Sequence, residues 1–374
     1  MVSVNLAEAV IATVRRQKIY SVEQILAHCA SIPWQRSLRK FPIEFVMRKR
    51  VSGFTKIELI AVVSILGILI AMTMPALQRV RESMRRTTCT NNLRQVGLAI
   101  QSYESSMRQL PSLYNGSFRA NPPTVEEEFH CYSWRVSILP QLEQSAMFAK
   151  IDPSLPATEV SNESWINSEL AVFQCPSTST PNRYVPDIQS FNKVVPANFV
   201  IVGTAARSDY EIIGGAGIND SVGERPPYLS HIEFGAWGEP TYKIEANKLI
   251  PVSYRTAKFR DISDGLSNTM LVAERSARPD WYKDGRLYES WPYSGNRAFD
   301  NHQAAWAIST HFAWLAPHNG RVNHDNMSGI YSFHDSGANC LFADGSVQFV
   351  GESADSVILN AWSTRSNGES VQHD

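Results

Sequence analysis

Residues 59–77, LIAVVSILGILIAMTMPAL, hold no charged side chain, and that run limits what the chain can fold into. At about 1.5 Å of rise per residue, a helix of this length spans roughly 28 Å, the thickness of a bilayer hydrocarbon core. Only Ser64, Gly67, Thr73 and Pro75 interrupt the apolar side chains. A core helix of a globular protein is polar on one face, whereas this one is apolar all round. A cleaved secretory signal would also follow a basic cluster such as Arg48-Lys49-Arg50. However, no A-x-A site comes after it, and Ala71-Met72-Thr73 is a weak substitute. A retained membrane anchor is the reading that fits. Basic residues are more numerous upstream of the run than downstream, which predicts a cytoplasmic N-terminal side.

The rest of the chain has the texture of a folded body. Across 374 residues, 43% are hydrophobic and 19% charged, outside the range of disordered sequences. The overall charge of −1 hides an asymmetry. Residues 1–53 carry nine Lys/Arg against three Asp/Glu, and residues 109–374 carry 19 against 30, a net −11. Such a body is unsuited to a phosphate backbone, so no nucleic-acid partner is expected. An acidic solvated surface is the plain reading of this charge, and Ca²⁺ binding the sharper one. The five cysteines, Cys29, Cys89, Cys131, Cys175 and Cys340, form no CxxC pair. A zinc ribbon and a thioredoxin-type motif are therefore absent.

The lip of the apolar run is unusual. Lys56 and Glu58 stand just before it, after a Gly53-Phe54 pair and the basic stretch RKRVS. The run RKRVSGFTKIEL resembles the leader of a type IV prepilin or type II secretion pseudopilin. The resemblance implies cleavage by prepilin peptidase between Gly53 and Phe54, methylation of the new N-terminal Phe54, and an assembly role for Glu58. Pro75 matches the proline of the family's helix. A carboxylate just inside an apolar helix is costly unless paired, and the amine released at Phe54 is its natural partner, in its own chain or a neighbour's. Otherwise Glu58 is an interfacial residue with no special partner. Lys56 departs from the family pattern, which has an apolar residue there. Its stem can snorkel to the interface. A start at Met47 would give the seven-residue leader MRKRVSG. Residues 1–46 are then either a cytoplasmic extension or a consequence of start-site choice.

Helical periodicity continues past the anchor. Leu77, Val80, Met84, Leu93, Val96, Ile100 and Tyr103 recur mostly at steps of three, four or seven, and Gly97 is the only breaker between Ala76 and Pro111. One helix over 54–108 is expected, with its transmembrane part at about 57–77. Beyond Leu110, short apolar runs alternate with Pro, Gly, Asn and Ser, which reads as strands and loops. Residues 133–148 read as short helices around Pro140. Residues 171–175, 199–202 and 268–274 read as strands, and 353–368 as a closing helix. Residues 337–350, GANCLFADGSVQFV, read as a hairpin turning at Asp344-Gly345. Segments 203–250 and 275–330 read as large surface insertions.

A second resemblance covers about residues 55–370. His334, nine residues and then Asp344-Gly345 match a prepilin-associated H-x9-DG signature. The runs CTNNLRQVGLAIQSYE (89–104), SWRVSILPQLEQ (133–144), FQCPS (173–177) and DISDGLSNTMLVAE (261–274) resemble the same bacterial prepilin-like domain of unknown function, often labelled type II secretion protein G-like. The resemblance implies an α+β, pilin-like fold, with the long helix packed on an antiparallel β-rich domain. It also implies a disulfide between Cys89 and Cys175, unless both are buried small hydrophobes.

His334, Asp344 and Gly345 read as a structural motif, with the ring bridging the strand ends across the hairpin. A His/Asp pair in acid–base or metal chemistry is the sharper alternative. No HExxH spacing, G-x-S-x-G elbow or Walker loop occurs, so no catalytic residue, metal or cofactor is expected. Trp134, Trp165, Trp237, Trp281, Trp291, Trp306 and Trp314 read as core. The expected order is an N-terminal extension (1–46), a leader (47–53), the long helix (54–108) and an extracytoplasmic domain (109–374) with the H-x9-DG hairpin at 334–350. The expected function is that of a non-enzymatic, single-pass inner-membrane structural protein. Its expected partners are prepilin peptidase and itself or other pilin-like subunits. The alternative is a monomeric anchored module that binds a glycan, Ca²⁺ or a protein.

Overall fold

The computed structural model describes residues 55–112, 114–115, 132–152, 160–181, 183–184, 204–217, 232–245, 248–288, 304–307, 321–326, 329–366 and 368. The extension, the leader, the Gly53-Phe54 pair and the strand expected at 199–202 lie outside these residues. The chain divides into two units, residues 1–66 and 67–374. Helix α1, Lys56–Met107, begins in the first unit and continues in the second. It is the one described helix long and apolar enough to cross a membrane.

The 54–108 helix expected from periodicity is therefore present almost residue for residue. Pro75 lies within it and does not end it. Hydroxyls of Ser64 and Thr73 donate back to the carbonyls of Ile60 (2.8 Å) and Ile70 (3.1 Å), a common device in membrane helices. Side chains stay exposed along the apolar run, including Leu77, Val80 and Met84. Burial begins at Cys89 and continues through Asn92, Leu93, Val96, Gly97, Ala99 and Ile100, the three-and-four spacing of one helical face. Arg108 takes a left-handed conformation (φ 58°), which stops the helix before Pro111.

The centre of the second unit is a four-stranded antiparallel sheet. Its strands are β1 (Tyr210–Ile212), β2 (Met270–Glu274), β3 (Gly337–Phe342) and β4 (Val347–Gly351), in the order β4-β3-β2-β1. Leu341 lies on the face that packs against Leu93, Val96 and Ile100 of α1, and a register shift between Met270 and Val272 turns Val272 to that face as well. Met270, Cys340 and Phe342 point to the other face. There the closing helix α2, Ser356–Ser363, supplies Leu359 and Trp362, whose ring meets Phe342 edge-on at 5.6 Å. Asp355 caps α2 by accepting from the Val357 amide at 2.8 Å. On β4, the Arg86 guanidinium of α1 lies 3.3 Å from the centre of the Phe349 ring.

The hairpin of β3 and β4 turns where the sequence places it. Gly345 has φ 87°, and the Asp344 carboxylate accepts from the Ser346 amide at 2.8 Å. Gly337 opens β3 under tight constraint. A Cβ there would lie 2.3 Å from the Val350 carbonyl oxygen and 2.7 Å from the Phe349 ring. Gly337→Ala should therefore destabilise the protein by about 1–3 kcal/mol. Thermal unfolding of the detergent-solubilised chain measures this, and an unchanged midpoint would contradict the close approach.

Two expectations are corrected. Residues 171–175 are not a strand: Ala171–Phe173 form a single 3-10 turn, because Asn92 of α1 takes up the Ala171 and Gln174 carbonyls (3.1 Å each) that a ladder would use. Segments 203–250 and 275–330 are not merely surface insertions. They supply β1, the long hairpin Gly238–Glu245 with Lys248–Thr256, and buried residues such as Ala206, Tyr210, Trp237, Trp306 and Ile330. Their glycines and aromatics serve close packing of the core. Trp134, Trp165, Trp237 and Trp306 are buried, as the sequence suggests, and their rings contact one another or Phe173.

Candidate functional site

The start of α1 forms a reciprocal cap. The Glu58 amide donates to the Thr55 hydroxyl oxygen at 3.2 Å. The Thr55 amide and hydroxyl both donate to one Glu58 carboxylate oxygen, at 2.8 and 2.9 Å. This is a Thr-x-x-Glu capping box, which satisfies amides that the first turn leaves without helical partners. It gives the carboxylate at the lip a partner within its own chain, one that the sequence reading overlooked. The TKIE spacing could have revealed it.

The second site is a buried polar cluster in the unit of residues 67–374. His334 lies just before β3, with its ring fully enclosed. Its Nδ1 is 2.6 Å from Glu82 Oε1 on α1, and its Nε2 is 3.2 Å from Glu274 Oε1 at the end of β2. Neither nitrogen meets Asp344. Strand β3, about 20 Å long at roughly 3.3 Å per residue, separates the two halves of the H-x9-DG motif. The ring therefore ties α1 to β2 and does not bridge the strand ends of the hairpin.

Cys175 approaches the same nitrogen, with Sγ 3.6 Å from His334 Nε2. Cys89 of α1 donates its S–H to Cys175 Sγ at 2.8 Å. The sequence-predicted pair is thus brought together, with both side chains buried as free thiols. Four donor atoms, from Cys89, Cys175, Glu274 and His334, lie within 4.8 Å of one another.

The surroundings fix each group. Glu274 accepts from the Asn339 amide (2.6 Å) and side-chain Nδ2 (3.1 Å), so its carboxylate is oriented from β3. The Ser177 hydroxyl donates to Glu82 at 2.9 Å and steadies the carboxylate behind His334. Asn92 on α1 grips the segment that carries Cys175, and buried Asp209 accepts from the Cys175 amide at 2.7 Å. Asp209 also accepts from the Ala277 amide (3.1 Å) and pairs with buried Arg207. Burial pushes the Asp209 carboxyl up from its ordinary range, while Arg207 and the two amides oppose that rise.

These contacts make the pocket favour positive charge. Burial alone would lower the His334 pKa, but hydrogen bonds with Cys175 and Glu274 and their negative charge raise it to about 11. The Cys175 thiol is lowered, chiefly because Cys89 donates to it and despite its burial. The Cys89 thiol is raised, chiefly by that same donation and then by burial. Glu82, Asn92, Ser177, Asp209 and Glu274 were not singled out from the sequence. Two signals were available: Glu274 ends the otherwise apolar run MLVA, and Asn92 falls on the buried stripe of α1.

A family model described as a protein of unknown function (DUF1559) matches residues 78–356. No curated protein and no solved structure matches the chain.

Proposed function

We propose, from the premise that the chain belongs to the DUF1559 family of proteins of unknown function, that it is a prepilin-like structural subunit of the cell envelope. In this reading prepilin peptidase cuts between Gly53 and Phe54, the new terminus is methylated, and the mature chain stays in the inner membrane with its body outside the cytoplasm. It has no catalytic role and packs with copies of itself or with other pilin-like subunits.

One observation carries the reading: a single helix supplies both a membrane-length apolar stretch and, from Cys89 to Ile100, the buried stripe of the body. Apolar faces that stay exposed from Ile57 to Met84 suit either lipid or parallel neighbours of the same kind. Glu58 supports the polar half of the argument. It already gathers the Thr55 donors, and an ammonium released at Phe54 would add a cation one residue upstream.

Intact-mass measurement of the membrane-extracted chain tests the processing step. The expected mass begins at Phe54 and includes one methyl group. A chain that still carries residues 47–53 overturns cleavage. For assembly, Glu58→Ala is expected to cut the yield of crosslinked multimers at least several-fold while membrane insertion persists. Unchanged multimer yield would remove Glu58 from the assembly mechanism.

A further inference from the structure

We infer that Cys89, Cys175, Glu274 and His334 form a closed four-ligand site for a zinc-class divalent cation, which clips α1 to the sheet. The geometry begins with His334. Glu82 Oε1 lies 2.6 Å from Nδ1, and a carboxylate only accepts, so the ring proton sits on Nδ1. In the neutral ring, Nε2 turns its lone pair toward Glu274 Oε1 at 3.2 Å and Cys175 Sγ at 3.6 Å. Glu274 is itself held as an acceptor by two Asn339 donors. Glu274 Oε1 and Cys175 Sγ thus converge on one ring nitrogen in a buried space, where either a proton on Nε2 or a metal ion in its place can join them. A carboxylate behind the ring of a ligating histidine is the usual way to fix its tautomer and aim.

The distances suit a tetrahedral ion. With metal–sulfur bonds of about 2.3 Å and metal–nitrogen or –oxygen bonds of about 2.0–2.1 Å, the N···S edge is roughly 3.6 Å and the N···O edge roughly 3.4 Å. The corresponding separations here are 3.6 and 3.2 Å. The two sulfurs, 2.8 Å apart, would have to separate by about 1 Å to reach a tetrahedral S···S edge. Two thiolates, an imidazole and a carboxylate form a borderline-soft set that selects zinc over calcium or magnesium. On binding, both thiols lose their protons to solvent and the histidine coordinates through neutral Nε2. All four ligand positions come from the protein and all four residues are buried, the signature of a structural site. The ligands come from α1, the segment after the 171–173 turn, β2 and the approach to β3. The ion would thus join four parts of the body that no local sequence links.

The full-length chain, extracted in detergent from cells grown with zinc, decides the matter. Elemental analysis is expected to give about one zinc per chain. Alkylation after chelation and unfolding should find Cys89 and Cys175 both as thiols. Exchange with Co²⁺ should produce a thiolate-to-cobalt charge-transfer band in the wild-type chain, a readout that needs no variant. Cys175→Ser and His334→Gln should each lower zinc content at least tenfold. A metal-free chain overturns the proposal, whether Cys89 and Cys175 are joined in a disulfide or left as thiols. Full zinc content in both variants overturns it equally.

Discussion

Asp209→Ala is expected to destabilise the body by about 3–5 kcal/mol, the usual result of removing one partner from a buried ion pair. Asp209 and Arg207 are both enclosed, and the same carboxylate accepts from the Cys175 and Ala277 amides. Replacing it with a methyl group takes the carboxylate from Arg207 and leaves two buried amides without their acceptor. Asp209→Asn keeps the volume and one acceptor oxygen, so its loss should be smaller. Denaturant unfolding of the detergent-solubilised chain, followed by tryptophan fluorescence, measures both. A loss below about 1 kcal/mol for Asp209→Ala would mean that the pair adds little to the fold.

Trp134→Ala should cost a similar amount, about 3–5 kcal/mol, by a different route. Trp134 is 1% exposed. Its ring centre lies 5.1 Å from that of Trp237 and 6.4 Å from that of Phe173. Truncation opens a cavity beside Phe173 and Trp237, both buried and held in place by their own neighbours. Trp134→Phe retains most of the apolar surface and should lose well under half as much. Thermal unfolding should show a fall on the order of 10 °C for the alanine variant in a body of this size. A midpoint within about 2 °C of the parent would show that the aromatic cluster repacks around the gap.

Much of the fold can be read from residues close together in sequence. The long helix follows from apolar spacing at three and four with almost no breakers. The hairpin follows from two apolar runs around Asp344-Gly345, and the closing helix expected within 353–368 is present over Ser356–Ser363. The burial boundary at Cys89 is less legible, since Leu77, Val80 and Met84 continue the same stripe yet stay exposed. Periodicity reports one apolar face, whether lipid, a neighbouring helix or the sheet covers it. The 171–175 segment was misread for a related reason. Its apolar run AVFQC suits a strand, but Asn92 and Asp209 hold its backbone from distant positions.

The buried cluster shows where sequence stops being enough. Cys89 and Cys175 are 86 positions apart, Glu274 and His334 are 60 apart, and Cys175 and His334 are 159 apart. Spacing rules for ligands apply when donors share one helix or turn, and these share none. The sequence by itself determined the elements with short-range causes: a membrane-length helix, its Thr55–Glu58 cap, the Asp344-Gly345 turn and the acidic balance of the body. Backbone hydrogen bonds and side-chain contacts within four residues fix such features. Only the tertiary structure decided that His334 faces Glu82, Glu274 and Cys175 and not Asp344. Burial of α1 against the sheet brings together groups whose separation along the chain carries no trace of their meeting.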